Sequence, residues 1–379
     1  RWPVLLGGAA LTRAYVENDL GDMYAGDVRY ARDAFEGLRL MEAVMAAKRG
    51  ESPVINDEMQ AKVAERRVRR ERSLRIAEAR KNRADVEDSA PLSRSTVATD
   101  LPLPVPPFWG SRVVRGIPVA QYAAMLDERA TFMGQWGLKG SRAGAGPSYE
   151  ELVESDGRPR LRYWMDRLAT QGILGGAALV YGYFPCVADG DDLVLLTEPV
   201  AGAPERVRFT FPRQRRERRL CLTDFFRPRD AALAAGEVDV VGLSLVTMGQ
   251  PIADTANALF ADDSYRDYLE VHGLGVQLTE ALAELWHRRI REELRLPDGT
   301  PLADDDPADV ADYLKLAYRG ARFSLGYGAC PDLEDRAKIV DLLEPERIGV
   351  KLSDEFQLHP EQSTDAIVVH HPEATYFNV

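Results

Sequence analysis

The chain has 379 residues, of which 45% are hydrophobic and 28% charged, with a net charge of −12. That length points to two or more domains, the composition excludes a disordered chain, and the acidic balance argues against a nucleic-acid protein as a whole. The longest apolar runs are far short of the ~20 residues that span a bilayer, no signal peptide is visible, and three widely spaced cysteines (Cys186, Cys221, Cys330) read as reduced thiols of a cytoplasmic protein.

The chain opens on the apolar run Arg-Trp-Pro-Val-Leu-Leu without an initiator Met, and is expected to be a piece of a longer protein. Pro3–Leu6 reads as a short buried strand that ends in Gly7-Gly8-Ala9-Ala10. A helix is expected over Leu11–Asp19, a strand over Val28–Ala31, and a helix over Asp33–Arg49, where Ala34, Leu38, Met41, Val44 and Met45 recur at helical spacing. Strand, glycines, helix, strand, helix is the pattern of a parallel α/β sheet. The glycine pair suits either close backbone approach to a ligand at the carboxyl edge of that sheet or a tight turn.

Lys62–Arg83 carries ten Lys or Arg against three Glu. Basic helices can neutralise phosphates. This one has no interleaved aromatic residue for base stacking and reads as a solvated helix between domains. Asp85–Pro107, with Pro102, Pro104, Pro106 and Pro107, reads as an extended, semi-rigid linker.

A second domain is expected from about Phe108. Tyr122–Leu126 and Asp127–Leu138 read as helix or turn, and Glu150–Gln171 as helix. The glycine-rich Lys139–Pro147 lacks the Gly-Lys-Ser/Thr ending of a phosphate loop and reads as a connection. Strands are expected over Ala177–Phe184, Leu193–Thr197, Arg206–Phe211 and Val238–Thr247. Hairpin-length gaps between some of them indicate a largely antiparallel sheet. Tyr268–Leu296 is the clearest long helix, with Leu274, Leu278, Leu282, Leu285 and Ile290 as its apolar stripe. Glu280, Glu284, His287 and Arg291 form a second, polar stripe, ordinarily a solvated face. Ile367–His370 reads as a late strand.

Between these elements lies Tyr318–Pro331, YRGARFSLGYGACP. Its glycines and proline exclude a regular helix, so it reads as a loop that aims one guanidinium and one phenol at something. Arg322 offers a planar fork suited to a carboxylate or phosphate. His359, His370, His371 and Cys330 are the only soft metal ligands close in sequence. Adjacent histidines on a strand point to opposite faces and no ligand spacing recurs, so no metal site is expected. Cys330 reads as a small buried thiol rather than a nucleophile.

Arg322, Gly326-Tyr327 and Ala329-Cys330-Pro331 resemble the Arg-x-x-x-Gly-Tyr-x-Ala-Cys-Pro signature of the activation domain of cobalamin-dependent methionine synthases. Other stretches recur in that family's order: Asp127 with FMGQWGLKG, YGYFP at Tyr181–Pro185, LCLTDFF at Leu220–Phe226, LTEALAELWHRRIR at Leu278–Arg291, VKLSDEFQLHP at Val350–Pro360 and HPEATYF at His371–Phe377. Departures are Ser363–Ala366, where a Ser-Val-Ser-Gly-like run is usual, and Cys186, where Ala commonly follows Phe-Pro.

The resemblance implies an α+β activation domain with a largely antiparallel sheet and flanking helices over 108–379. It is preceded by a charged helix and linker over 48–107 and, over 1–47, by the end of an α/β, Rossmann-like cobalamin-binding domain. It implies S-adenosylmethionine bound by Asp127, Glu280, Arg322, Gly326, Tyr327, Ala329, Tyr376 and Phe377. In that reading Arg322 takes the carboxylate, Asp127 and Glu280 face the positive groups, backbone around Ala329 reads the adenine edge, Tyr376 packs the ribose or adenine, and Tyr327 faces the corrin. Phe377 stands where a second aromatic ring is usual. Gly7, Gly8, Ala9, Asp33 and Ala34 correspond to part of a cobalamin site. The cobalt-ligating Asp-x-His-x-x-Gly motif is absent from this chain.

The implied activity is that of a cobalamin-dependent methyltransferase, in which this part supplies a methyl group from S-adenosylmethionine to re-methylate oxidised cobalamin under reduction. The implied partners are cobalamin-, homocysteine- and folate-binding modules of the same protein and a flavodoxin- or ferredoxin-type electron donor, with no nucleic acid and no membrane. The family's zinc would belong to the full-length enzyme and not to this chain. The other class of reading is a binding or cap module without catalysis of its own.

Overall fold

Two short strands near the N-terminus are the first paired elements of the computed structural model, which describes residues 2–7, 13, 15–32, 34–50, 94–140, 146–215 and 218–379. Strand β1 (Val4–Gly7) runs parallel to β2 (Val28–Ala31), with Val4 opposite Val28 and Gly7 opposite Ala31, and helix α1 (Ala34–Lys48) packs on both. A Cβ at Gly7 would lie 2.6 Å from the carbonyl oxygen of Ala31, so close approach between the strands already demands that glycine. Gly8, Ala9, Asp33, the basic run Lys62–Arg83 and residues 141–145 of the glycine-rich stretch lie outside the described residues.

The chain divides into two compact units, Arg1–Pro91 with Phe132–Val153, and Leu92–Thr131 with Glu154–Val379. The second is built on a seven-stranded, wholly antiparallel sheet. Its strands are β3 (Gly110–Arg115), β4 (Ala178–Asp189), β5 (Asp192–Leu196), β6 (Glu205–Thr210), β7 (Asp239–Thr247), β8 (Ala321–Phe323) and, after the two-residue strands β9 (Lys351–Leu352) and β10 (Leu358–His359), β11 (Ser363–Val369). The spatial order is β6-β5-β4-β7-β11-β8, with β3 also on β4. Strand β4 is long enough for β3 to pair with its first half and β5 with its last. Strands β4 and β7 are buried almost end to end, which is why they read as continuous apolar runs rather than alternating ones.

One face of the sheet presents Val180, Phe184, Leu243, Leu245, Phe323, Ile367 and Val369 to Ile339, Leu342 and Leu343 of a helix, Asp335–Leu343. The other face carries the long helix, here α2 (Tyr265–Glu293), and Gly242 of β7 lies against its Ile290 and against Val368. The hydroxyls of Tyr181 and Tyr183 reach Glu293 of α2 from that face. A further helix, Gln250–Ala261, packs along α2.

The proline-rich stretch is not a free linker over its whole length. Arg94 donates to the carbonyls of Asp224 and Phe226, both at 2.9 Å. Val97 is buried, Arg227 donates to the Leu101 carbonyl, and Val105 bridges to Arg295. An extended, proline-rich chain has no internal hydrogen bonds, so its carbonyls are open to donors from a neighbouring fold. Val97→Ala is therefore expected to cost about 1–2 kcal/mol in chemical denaturation. A change indistinguishable from zero would make this stretch a passive tether.

Candidate functional site

Three residues earlier read as loop, Ala321–Phe323, form the edge strand β8, and this sets the site. Arg322 pairs across from Val368 of β11. Phe323 turns into the core, so by alternation Arg322 faces the opposite side of the sheet, toward α2. There its Nε donates to Glu284 Oε2 at 3.0 Å and its Nη2 to Glu280 Oε2 at 2.7 Å. Glu280 and Glu284 are one helical turn apart, so a single guanidinium can span both. Burial alone would lower the pKa of Arg322; the two carboxylates more than offset it and hold the group above its ordinary value. Nη1 makes none of the hydrogen bonds found among the described residues.

The polar stripe of α2 is not a solvated face. Glu284 is 6% exposed, His287 1% and Arg291 0%. The chain after α2 supplies the cover. Arg291 is bonded to the carboxylate of Asp306 and the hydroxyl of Tyr313 and lies 4.2 Å from the centre of the Tyr318 ring. The Tyr318 ring meets His287 edge-on at 5.1 Å. Burial, then the neighbouring Arg291 and Arg322 cations, push the His287 pKa well down, so its ring is neutral. Burial, then the Glu284 carboxylate, raise that of Tyr318.

The turn after β8 is closed by Gly326 N–H to the Cys330 carbonyl and Cys330 N–H to the Tyr327 carbonyl, both at 2.9 Å. Gly328 has φ +42°, and a Cβ there would stand 2.7 Å from the Phe377 carbonyl oxygen and 2.9 Å from the Tyr376 hydroxyl. Only glycine lets this turn lie against the C-terminal segment. Tyr327 is left 57% exposed and Tyr376 50%. Arg322, Glu280, Glu284, Tyr318, Tyr327 and Tyr376 line one end of a cleft of about 900 Å³ whose other end includes Gln250, Asn257, His272 and Gln362.

Of the residues singled out in the sequence, Glu280, Arg322, Tyr327 and Tyr376 thus come together at one cleft. Gly326, Ala329 and Phe377 support it from behind: Ala329 is buried, and the Phe377 ring packs on Phe225 and Phe323. Asp127 is not among the lining residues. It is exposed, and its Oδ1 accepts the Ala130 N–H at 2.9 Å, the ordinary work of an aspartate at the start of a helical turn. Gly7 and Ala34 belong to the other unit. Glu284, His287 and Tyr318 were not read as site residues. The four-residue spacing of Glu284 from Glu280 was the available signal.

The histidines close in sequence to Cys330 are otherwise employed. His370 Nε2 bonds Asp239 at 2.6 Å, His371 Nε2 bonds the Ala98 carbonyl at 3.0 Å, and His359 is exposed on β10. Among the described residues no group of three or more His, Cys, Asp or Glu could hold a metal ion, and no helix is long and apolar enough to cross a membrane. Cys330 donates from Sγ to the Ser324 carbonyl at 3.1 Å, and burial pushes its pKa up to about 12. At pH 8 roughly one thiol in ten thousand would then be thiolate, against roughly a quarter of exposed thiols. Thiol reagents at pH 8 are expected to label native Cys330 orders of magnitude more slowly than the denatured chain. Equal rates would show the thiol to be open.

Residues 160–379 match the family model described as vitamin B12 dependent methionine synthase, activation domain. The chain belongs to this family. It is 65% identical over 383 residues to the methionine synthase of Mycobacterium tuberculosis (strain ATCC 25618 / H37Rv) and 62% over 386 residues to that of Mycobacterium leprae (strain TN). Each alignment covers all of this chain and 32% of the relative, so the chain spans about a third of the length of these curated relatives. A solved structure described as the MetH reactivation domain bound to AdoHcy is similar in fold, with TM-score 0.62, 24% identity, and 74% of this chain and 84% of that one covered. The activation-domain resemblance and the largely antiparallel α+β fold it implied are both borne out.

Proposed function

We propose that the cleft between α2 and β8 binds S-adenosylmethionine and presents its methyl group to cobalamin carried by another module of a longer methionine synthase. One observation carries this: a guanidinium whose Nε and Nη2 edge is held by two glutamates while Nη1 has no hydrogen bond among the described residues, in a cleft also lined by two exposed tyrosines. The residues fit the donor. Nη1 can take its carboxylate, and with the buried Glu284 paired to Arg322 the more exposed Glu280 carries the negative charge that faces the ammonium and sulfonium. That charge favours the charged sulfonium over the neutral thioether product. Tyr376 and Tyr327 offer ring faces for the sugar, the base and the incoming corrin.

Cobalamin, when bound, would supply the cobalt that accepts the methyl group. This chain offers it at most a margin, at Gly7, Gly8, Ala9, Asp33 and Ala34, with no Asp-x-His-x-x-Gly motif. On this reading residues 1–47 are the end of a cobalamin-binding domain, 48–107 connect it onward, and 108–379 are the activation domain. The chain's own task is positioning. A flavodoxin- or ferredoxin-type protein would provide the electron, in the cytoplasm, where three buried thiols stay reduced.

The test is recovery of oxidised, inactive full-length enzyme. Activity is expected to return only with both a reductant and S-adenosylmethionine, with methyl label from the donor appearing on the enzyme's cofactor. Recovery with reductant alone would make the domain a cap or docking module.

A further inference from the structure

We infer that Glu284 is a positioning residue for the ligand's carboxylate: it acts through Arg322, whose guanidinium it holds with Nη1 turned to the cleft. This rests on the donor reading above.

The two glutamates that hold Arg322 differ in surroundings. The Glu280 side chain is 43% exposed and that of Glu284 7%. A carboxylate in water is a soft restraint, because water competes for both partners and the side chain pays entropy to stay put. A buried carboxylate has no such competition. Glu284 Oε2 accepts from Arg322 Nε, while Oε1 has no hydrogen-bond partner among the described residues.

The groups around Glu284 leave Arg322 as its one charged partner there. His287 Nδ1 is 4.0 Å from Oε1, but that ring is buried, with neither nitrogen hydrogen-bonded among the described residues. Arg291 is engaged by Asp306 and Tyr313. The Tyr318 phenol is neutral. Glu284 and Arg322 therefore fix each other. Of the two glutamates, the buried one sets where the guanidinium points and the exposed one completes the charge of the cleft.

Glu284 also lines the cleft, so it could instead touch the ligand's ammonium. Decarboxylated S-adenosylmethionine, which keeps the ammonium and sulfonium and lacks the carboxylate, separates the two roles. In calorimetric titrations of the 379-residue chain, Glu284→Gln is expected to weaken S-adenosylmethionine and S-adenosylhomocysteine by the same factor, about tenfold or more. Binding of the decarboxylated analogue is expected to stay within about twofold. In an Arg322→Ala background the second substitution is expected to change donor affinity no further. Glu284→Asp, which keeps the charge on a shorter stem, is expected to give the same ligand pattern with a smaller loss, and serves if the glutamine variant does not fold.

An equal loss for the decarboxylated analogue would mean direct contact or a damaged site and would overturn the inference. So would an unchanged affinity for S-adenosylmethionine. Wild-type chain that fails to bind S-adenosylmethionine would overturn the donor reading itself and this inference with it.

Discussion

Arg322→Ala, introduced into the full-length enzyme, is expected to lower affinity for S-adenosylmethionine by about tenfold to more than a hundredfold, the worth of a charge-assisted contact to a carboxylate. The substitution also leaves Glu280 and Glu284 facing each other without their shared cation. Freshly prepared active enzyme is expected to begin turnover at a near-normal rate, because the proposed role of this cleft lies in repair and not in the primary cycle. Activity is then expected to decay and to resist repair by reductant and donor at ordinary concentration, with partial rescue at high donor. Loss of the first turnovers with intact repair would place Arg322 in the primary cycle.

Arg291→Ala is expected to be the more damaging change to the fold. The side chain is fully buried, paired with Asp306, bonded to Tyr313 and stacked over Tyr318. Removing one member of a buried pair leaves the other charge uncompensated, at a cost of about 3–5 kcal/mol. For a domain of this size that corresponds to a fall in Tm of roughly 6–20 °C. Adding Asp306→Ala is expected to recover part of the loss, since it removes the orphaned charge. A single variant within about 1 kcal/mol of wild type in denaturant would show that the pair holds nothing together.

These two arginines show where sequence stops short of structure. The strands β4 and β7 were legible because their apolar runs are long. The edge strand β8 was not: three residues with Gly320 on one side and a glycine turn on the other look like a loop, and only pairing with β11 makes them a strand. That pairing is what turns Arg322 toward α2. The acids and bases of α2 were legible as a stripe, but a polar stripe has the same spacing whether water or protein covers it. Its cover, Asp306, Tyr313 and Tyr318, comes from the chain after the helix, and local periodicity cannot reveal that. The Arg-Gly-Tyr-Cys signature located the cleft, and Glu280, Tyr327 and Tyr376 do line it. Asp127, which the resemblance sets against the donor's positive groups, accepts the Ala130 N–H and is not among the residues lining this cleft. The prolines near 102–107 lie in a stretch without helix or strand, apart from the bridge at Val105. Whether extended backbone hangs free or lies on a fold depends on donors far along the chain, such as Arg227 and Arg295.

Calorimetric titration of the 379-residue chain with S-adenosylmethionine, without added cobalamin, shows whether this cleft holds the methyl donor. One-to-one binding is expected for the wild type, with the affinity lowered tenfold or more in Arg322→Ala. No heat and no thermal shift at millimolar donor, or binding that Arg322→Ala leaves untouched, would contradict the donor reading.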